Sequence, residues 1–206
     1  VVEKADKYDA QIEAVIKRYS SPQELEKRNL ALYRQKSGKL LANEIEKSKP
    51  SLVLDLGCGG NPFKGLIPNL IGVDVVDHPD VDLVTEIDML YRIFAPDSAD
   101  WILNFGPLQY GDEEWEEAMV SLMHYMLHPF GTIVCHVAPK KHWTPSYIKE
   151  LGEFAGLKLV GEVETSYTDT FYMSEEDEKI QRRVCEQHDI PFDRFIFPRL
   201  TWRWIK

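Results

Sequence analysis

The sequence predicts an α/β fold, a doubly wound parallel sheet with an N-terminal helical extension. Three observations predict it. From Ser51 onward, short apolar runs suited to buried strands alternate with segments of helical period. The first of these runs ends in the cluster Gly57-Cys58-Gly59-Gly60, which reads as a tight turn out of a parallel strand. Residues 1–49, by contrast, carry only helical periodicity.

Taken in order, Ile12, Val15, Ile16 and Tyr19 recur at helical spacing. Ser21-Pro22-Gln23-Glu24 matches a capping box with proline at the first helical position, so a second helix is expected through Leu25, Leu32 and Tyr33. A third carries Leu40, Leu41 and Ile45 before Pro50. Strands are expected at 52–54, 70–75, 81–87, 99–103, 132–137 and 157–163. A helix over 112–127 places Trp115, Met119, Leu122, Met123 and Met126 on one face, with Glu113, Glu114, Glu116 and Glu117 in its first turns, where acids suit the helix dipole. Another over 145–155 has Thr144 as N-cap, Pro145 at its first position and Gly156 closing it. The final strand, 199–205, alternates Leu200, Trp202 and Trp204 on one face, as an edge or hairpin partner does. Between the last two strands, about 168–198 reads as an insertion, with an acidic stretch at 174–178 leading into a helix through Cys185. The expected organisation is a helical cap over 1–49 and a ligand-binding domain over 50–206.

Composition narrows the class. With 206 residues, 44% hydrophobic and 28% charged, the chain has the make-up of a soluble globular protein. Cys58, Cys135 and Cys185 are scattered, without a Cys-x-x-Cys pair, which suits a reducing compartment and argues against structural zinc. No apolar run is long enough to span a bilayer, and Val1-Val2-Glu3-Lys4 shows no signal pattern, so a cytoplasmic location without membrane attachment is the expectation. Residues 1–49 hold 11 basic and 8 acidic side chains, whereas residues 50–206 hold 13 and 26. Nucleic-acid binders usually show a basic footprint. The acidic body argues against such a partner.

The chemistry concentrates in Val53-Leu54-Asp55-Leu56-Gly57-Cys58-Gly59-Gly60-Asn61-Pro62. Glycines at a strand end let a ligand approach the backbone closely. The dinucleotide fingerprint needs a third glycine where Pro62 stands, and a strand-end carboxylate repels pyrophosphate. Asp55 instead suits a ligand with a cationic head. Asp74 closes the next strand nineteen positions later, a spacing suited to accepting ribose hydroxyls, with Val75 beside it. Asp88 follows the third strand, where it can accept from an adenine amino group while Met89 packs on the ring.

Asp55-Leu56-Gly57-Cys58-Gly59, Asp74 and Asp88 resemble, in order and spacing, the cofactor motifs of class I S-adenosylmethionine-dependent methyltransferases. Ala99-Asp100-Trp101-Ile102-Leu103-Asn104 with Leu108-Gln109-Tyr110 is similar to the family's fourth-strand motif. Met126-Leu127-His128-Pro129-Phe130-Gly131-Thr132 is similar to its segment before the fifth strand, with Phe130 replacing a glycine. His142-Trp143-Thr144-Pro145 through Gly156-Leu157 resembles the small-molecule branch related to quinone-biosynthesis methyltransferases. The resemblance covers about 50–165. It implies a Rossmann-like seven-stranded sheet with the last strand antiparallel, S-adenosyl-L-methionine as cofactor and a small-molecule methyl acceptor. Asp55, Gly57 and Gly59 would hold the methionine part, Asp74 the ribose and Asp88 the adenine; Asn104 and Phe105 would lie beside the donor methyl.

A general base is optional in such a displacement. Candidates are Tyr110, His136 and His142, His136 being the weakest because its neighbours read as a buried strand. Tyr33, Arg34, Lys36 and Lys39 form a basic, aromatic surface on the cap that suits a polar or anionic acceptor. His124 and His128 have metal-ligand spacing on a helix but no third ligand. No cysteine follows the fourth strand, as cytosine-C5 chemistry requires, and Asn104-Phe105-Gly106-Pro107 departs from the amino-methylating pattern. An RNA or protein acceptor, or a non-catalytic cofactor-binding role, are the alternatives.

Overall fold

A computed structural model describes residues 36–169 and 196–206, together with residues 10, 12–17, 20, 182 and 186. Helix α1, Lys36–Ser48, leads into strands β1 (Val53–Leu56), β2 (Leu70–Asp74), β3 (Leu83–Val84) and β4 (Ala99–Asn104). Helix α2 (Glu113–Met126), strand β5 (Leu127–Val137), helix α3 (Pro145–Phe154) and strands β6 (Lys158–Asp169) and β7 (Ile196–Ile205) complete the chain. The sheet order is β3-β2-β1-β4-β5-β7-β6. β1 to β5 pair in parallel, and β7 runs antiparallel between β5 and β6.

Alternation along the parallel strands sorts the core into two layers. Val53, Trp101, Leu103 and Val134 face α1, packing on Leu41, Ala42, Ile45, Phe63 and Ile67. Leu54, Leu56, Ile102, Ile133 and Cys135 face α2 and α3, together with Trp202 and Trp204 of β7. Trp101 Nε1 donates to Ser48 Oγ at 3.0 Å and Arg203 pairs with both Glu44 carboxylate oxygens at 2.6 and 2.8 Å, so α1 is tied to β4 and β7. The Thr144 cap is as read, its side chain accepting from Tyr147 N, and Asp112 caps α2 by accepting from Trp115 N.

Several sequence expectations change. The strand expected over 81–87 shrinks to Leu83–Val84, and Ile87–Arg92 winds into a 3-10 helix. Asp82 explains the break. Its Oδ2 accepts from Gly72 N and Asn61 Nδ2, both at 2.9 Å, and its Oδ1 meets Lys64 Nζ at 2.8 Å, so the side chain ties down the loop ahead of the strand. β5 starts at Leu127 rather than 132, taking up the stretch with Pro129 and Phe130. β7 is not an edge; it is the hairpin partner of β6, which forms the border of the sheet. The ladder takes both ends of the stretch read as an insertion, since β6 runs to Asp169 and β7 begins at Ile196. α2 ends at Met126, so His124 and His128 do not share a helical face. The second cap helix with Tyr33 and Arg34, Tyr19, and the helix leading to Cys185 lie outside the described residues, as do the side chains of Lys36 and Lys39. Among the described residues no helix is long and apolar enough to cross a membrane.

Candidate functional site

The site grows from the carboxyl ends of β1 and β2. Asp55 alternates onto the α1 face and is 2% exposed. No described residue donates a hydrogen bond to its carboxylate, and burial, with the neighbouring Asp74 charge, pushes its carboxyl up to about 7. Asp74 is held differently. Its Oδ2 accepts from Gly59 N at 2.8 Å and its Oδ1 from Val76 N at 2.9 Å. Burial raises its carboxyl too, against the pull of the Val76, Gly59 and Val75 amides. Each carboxylate oxygen keeps a second lone pair, so hydroxyls could still be accepted there.

The turn between them is built by the backbone. Gly57 N and Cys58 N both donate to Val73 O, at 2.8 and 3.0 Å, stitching the end of β1 to β2. Gly57 has φ +69°, and a Cβ there would sit 2.4 Å from Pro107 Cγ. Glycine is therefore required both by conformation and by the close approach of the loop after β4. The Cys58 thiol is raised by burial and by the surrounding carboxylates, which keeps it a protonated turn residue.

The remaining predicted positions divide. Asp88 is exposed in the first turn of the 3-10 helix after β3, and Met89 beside it is half-buried. Val75 is half-buried and packs on Val76, as does Val15 from the helical residues 12–17. Asn104 turns to the opposite face from Asp55. Its Oδ1 accepts from Leu108 N at 3.2 Å and its Nδ2 lies 3.6 Å from Met123 Sδ, so the side chain shapes the loop after β4 rather than projecting beside Asp55. Phe105 does sit on the Asp55 face, with ring centroids 5.9 Å from Phe63 and 5.8 Å from His136.

Of the three base candidates, Tyr110 ends the 3-10 turn Pro107–Gln109 and is 39% exposed. His142 is committed elsewhere: its Nε2 lies 3.2 Å from each Glu116 carboxylate oxygen. Glu116, fully buried, also accepts from Lys140 Nζ at 2.5 Å and Tyr147 Oη at 2.6 Å. Burial pushes its carboxyl up, but these donors, led by Lys140, hold it below the usual range. Lys140 also donates to Gly111 O at 2.6 Å and stands over the Trp143 ring at 4.9 Å. His136 is buried beside Phe105 with its Nδ1 2.8 Å from Thr201 Oγ1.

The sequence reading placed Glu116 among the dipole-facing acids of α2, and the Glu116 cluster, Thr201 and Arg199 escaped it. A buried Glu cannot be told from three exposed neighbours by local pattern. One signal was available: position 116 shares a helical face with Met119, Val120 and Met123.

No family model matches the chain, and no curated protein matches it in sequence. Solved structures do. The 1,6-didemethyltoxoflavin-N1-methyltransferase of Burkholderia thailandensis, determined with 1,6-didemethyltoxoflavin and S-adenosylhomocysteine, superposes with a TM-score of 0.66 at 14% identity, over 98% of this chain and 89% of its own. Magnesium protoporphyrin IX methyltransferase from Synechocystis PCC 6803, with bound S-adenosylhomocysteine, gives 0.64 at 12% identity, over 95% and 99%. The [4+2]-cyclase SpnF gives 0.54 at 13% identity, over 84% and 82%. With the strand order and the antiparallel β7, these likenesses show that the chain has the Rossmann-like, seven-stranded fold of S-adenosylmethionine-dependent methyltransferases.

Proposed function

We propose that the chain is an S-adenosylmethionine-dependent methyltransferase, holding the cofactor across the carboxyl ends of β2 and β1 and a small-molecule acceptor toward β4, β5 and β7. One observation carries the reading. A buried carboxylate to which no described residue donates, Asp55, and an amide-anchored carboxylate, Asp74, lie on one sheet face either side of a glycine turn. A ligand with a cationic head and a vicinal diol answers both needs, because Asp55 calls for a positive partner and Asp74 has acceptor capacity left. The residues present therefore fit the group. Bound there, S-adenosylmethionine supplies an electrophilic methyl carried on a sulfonium.

The chain's own contribution is placement. Asp55 pairs the ammonium, Asp74 orients the ribose, and Gly57 and Gly59 admit the ligand to the backbone. Asp88 and Met89 take the adenine, with Val75 at its edge. Phe105 walls the reacting centre, and the backbone of Asn104 delivers it there. The cap closes over the end of β2, as the Val15–Val76 contact supports, and excludes water. The small-molecule class is supported by neighbours whose names specify didemethyltoxoflavin and magnesium protoporphyrin IX, and by the acidic body, which disfavours RNA. Buried, free Cys58 and Cys135 suit a reducing, cytoplasmic setting.

Calorimetric titration with S-adenosylmethionine tests the cofactor assignment: saturable binding is expected, weakened in Asp74→Ala. Absence of binding at millimolar ligand would end the reading. A labelled-methyl screen over small metabolites, RNA and protein then separates transfer from the other chemistry this fold hosts, as the cyclase neighbour illustrates.

A further inference from the structure

Glu116 lies outside the proposed cofactor site, yet three side chains from the segment after β5 converge on its buried carboxylate: Lys140, His142 and Tyr147. Lys140 reaches further. Its Nζ, bonded to Glu116 Oε1 at 2.5 Å, also donates to Gly111 O at 2.6 Å and lies 3.5 Å from Leu108 O. These acceptors match the three protons of an ammonium, and the two carbonyls belong to the loop that follows β4. The lysine thus pins one loop to the other, with Glu116 as the post.

The pinned loop leads to the cofactor turn. Pro107 packs on Gly57 so closely that a Cβ there would fall 2.4 Å from Pro107 Cγ. Pro107 O accepts from Trp115 Nε1 at 3.4 Å, and the next residue, Leu108, donates its N–H to Asn104 Oδ1 at 3.2 Å. The Trp115 ring leaves no room for a side chain at Gly111. Residues 104–111 therefore form a tightly held bridge, touching the glycine turn at Pro107 and the Lys140 ammonium at Leu108 and Gly111. A second tie, Gln109 Oε1 accepting from Ala138 N at 2.7 Å, joins the same two loops. An apolar pair often gives as much stability as a buried ion pair. What the charges add is direction, because an ammonium anchored on a buried carboxylate holds two particular carbonyls in place.

We infer that Lys140 and Glu116 are positioning residues: they yoke the loop after β5, residues 138–144, to the loop after β4, so that filling the cofactor turn at Gly57 stiffens the acceptor side. The inference rests on the methyl-transfer reading and concerns how its two halves communicate. Cofactor bound against Gly57 holds Pro107 in place. Pro107 fixes the carbonyls of Leu108 and Gly111, and Lys140 carries that order into its own loop, where Trp143 N donates to Lys140 O at 3.1 Å. The filled protein presents a firmer acceptor wall than the empty one, and by linkage a firm wall favours the cofactor.

Amide hydrogen exchange on the full chain, with and without saturating S-adenosylhomocysteine, tests this link. The amides of Leu108 and Trp143 report the two loops, and that of Leu157, bonded to Gly152 O just ahead of β6, reports overall stabilisation. In wild type the ligand should slow Leu108 and Trp143 about fivefold more than Leu157, the lower end of coupling between sites. Glu116→Gln combined with Lys140→Met leaves neither charge stranded; Leu108 should still be slowed, while the excess at Trp143 falls below about twofold. Lys140→Arg, which keeps donors for Glu116 and the carbonyls, should retain an excess above about twofold, whereas a side chain that only fills space gives no reason for Met and Arg to differ. Pro107→Ala cuts the bridge at its other end with the ion pair intact and should remove the excess at both loops, so the test stands even if the double variant does not fold. Thermal unfolding and calorimetry with S-adenosylhomocysteine establish that each variant is folded and binds. No excess at Trp143 in wild type, or an excess there unchanged in the double variant or in Pro107→Ala, overturns the inference and leaves the cofactor assignment standing. Failure of S-adenosylhomocysteine to bind the wild type removes both.

Discussion

Replacing Asp55 by asparagine should make the ligand-free protein more stable and the cofactor complex weaker. The folded chain raises the Asp55 carboxyl from 3.8 to about 7, chiefly by burial. A group raised in this way binds its proton more tightly folded than unfolded. Its penalty is absent below pH 4, grows as pH rises through the interval between the two midpoints, and is complete above the folded one. Three pKa units correspond to about 4 kcal/mol, an upper bound on what asparagine, neutral and nearly isosteric, recovers at pH 8. Urea unfolding of wild type and Asp55→Asn should therefore show curves that coincide near pH 4 and diverge progressively toward pH 8. In calorimetry the same substitution removes a charged hydrogen-bond partner worth about 1.5–3 kcal/mol, a loss of roughly ten- to a hundredfold in S-adenosylmethionine affinity. Wild-type affinity should rise with pH toward neutrality, because a cation can pair only with the ionised carboxylate, and binding should release protons to the buffer. A stability difference that is nil at pH 8, or that does not change with pH, would refute the account of Asp55 as a carboxylate held ready for a cation.

Gly57→Ala forces a Cβ to within 2.4 Å of Pro107 Cγ at a φ of +69°, so thermal unfolding should shift down and cofactor titration should show lost affinity. Glu116→Ala strands the Lys140 ammonium, 17% exposed, beside Trp143 and the carbonyl of Gly111, and should cost about 3–5 kcal/mol in urea unfolding. Asp74→Ala leaves the amides of Gly59 and Val76 unmatched; a stability loss of about 1–3 kcal/mol should accompany its loss of affinity. Phe130, 91% exposed at a φ of +71°, should tolerate glycine with a gain of up to about 1 kcal/mol, seen as a raised melting temperature.

Much of the strand-end geometry of the candidate cofactor site was legible because it is written in local chemistry. An apolar run, two glycines and a carboxylate specify a strand, its turn and the charge beside it. The alternation of Leu200, Trp202 and Trp204 marked the buried face of β7, though not its neighbours. Elsewhere local pattern misled. Asp82, a strand residue by pattern, spends both oxygens on Gly72, Asn61 and Lys64 and lies in the loop ahead of a shorter third strand. His142 looked available until the buried Glu116 claimed it, and His136 looked structural until its Nε2 proved to be unmatched.

What the sequence determined by itself is the class of fold and the position of its acidic strand ends, because period, glycine and charge are properties of neighbours along the chain. The tertiary structure alone decided which carboxylate is buried with no donor among the described residues, which histidine is committed, and that Arg199 stands near His136. Arg199 and His136 are 63 positions apart and His142 and Glu116 are 26, so only tertiary packing brings either pair into interaction.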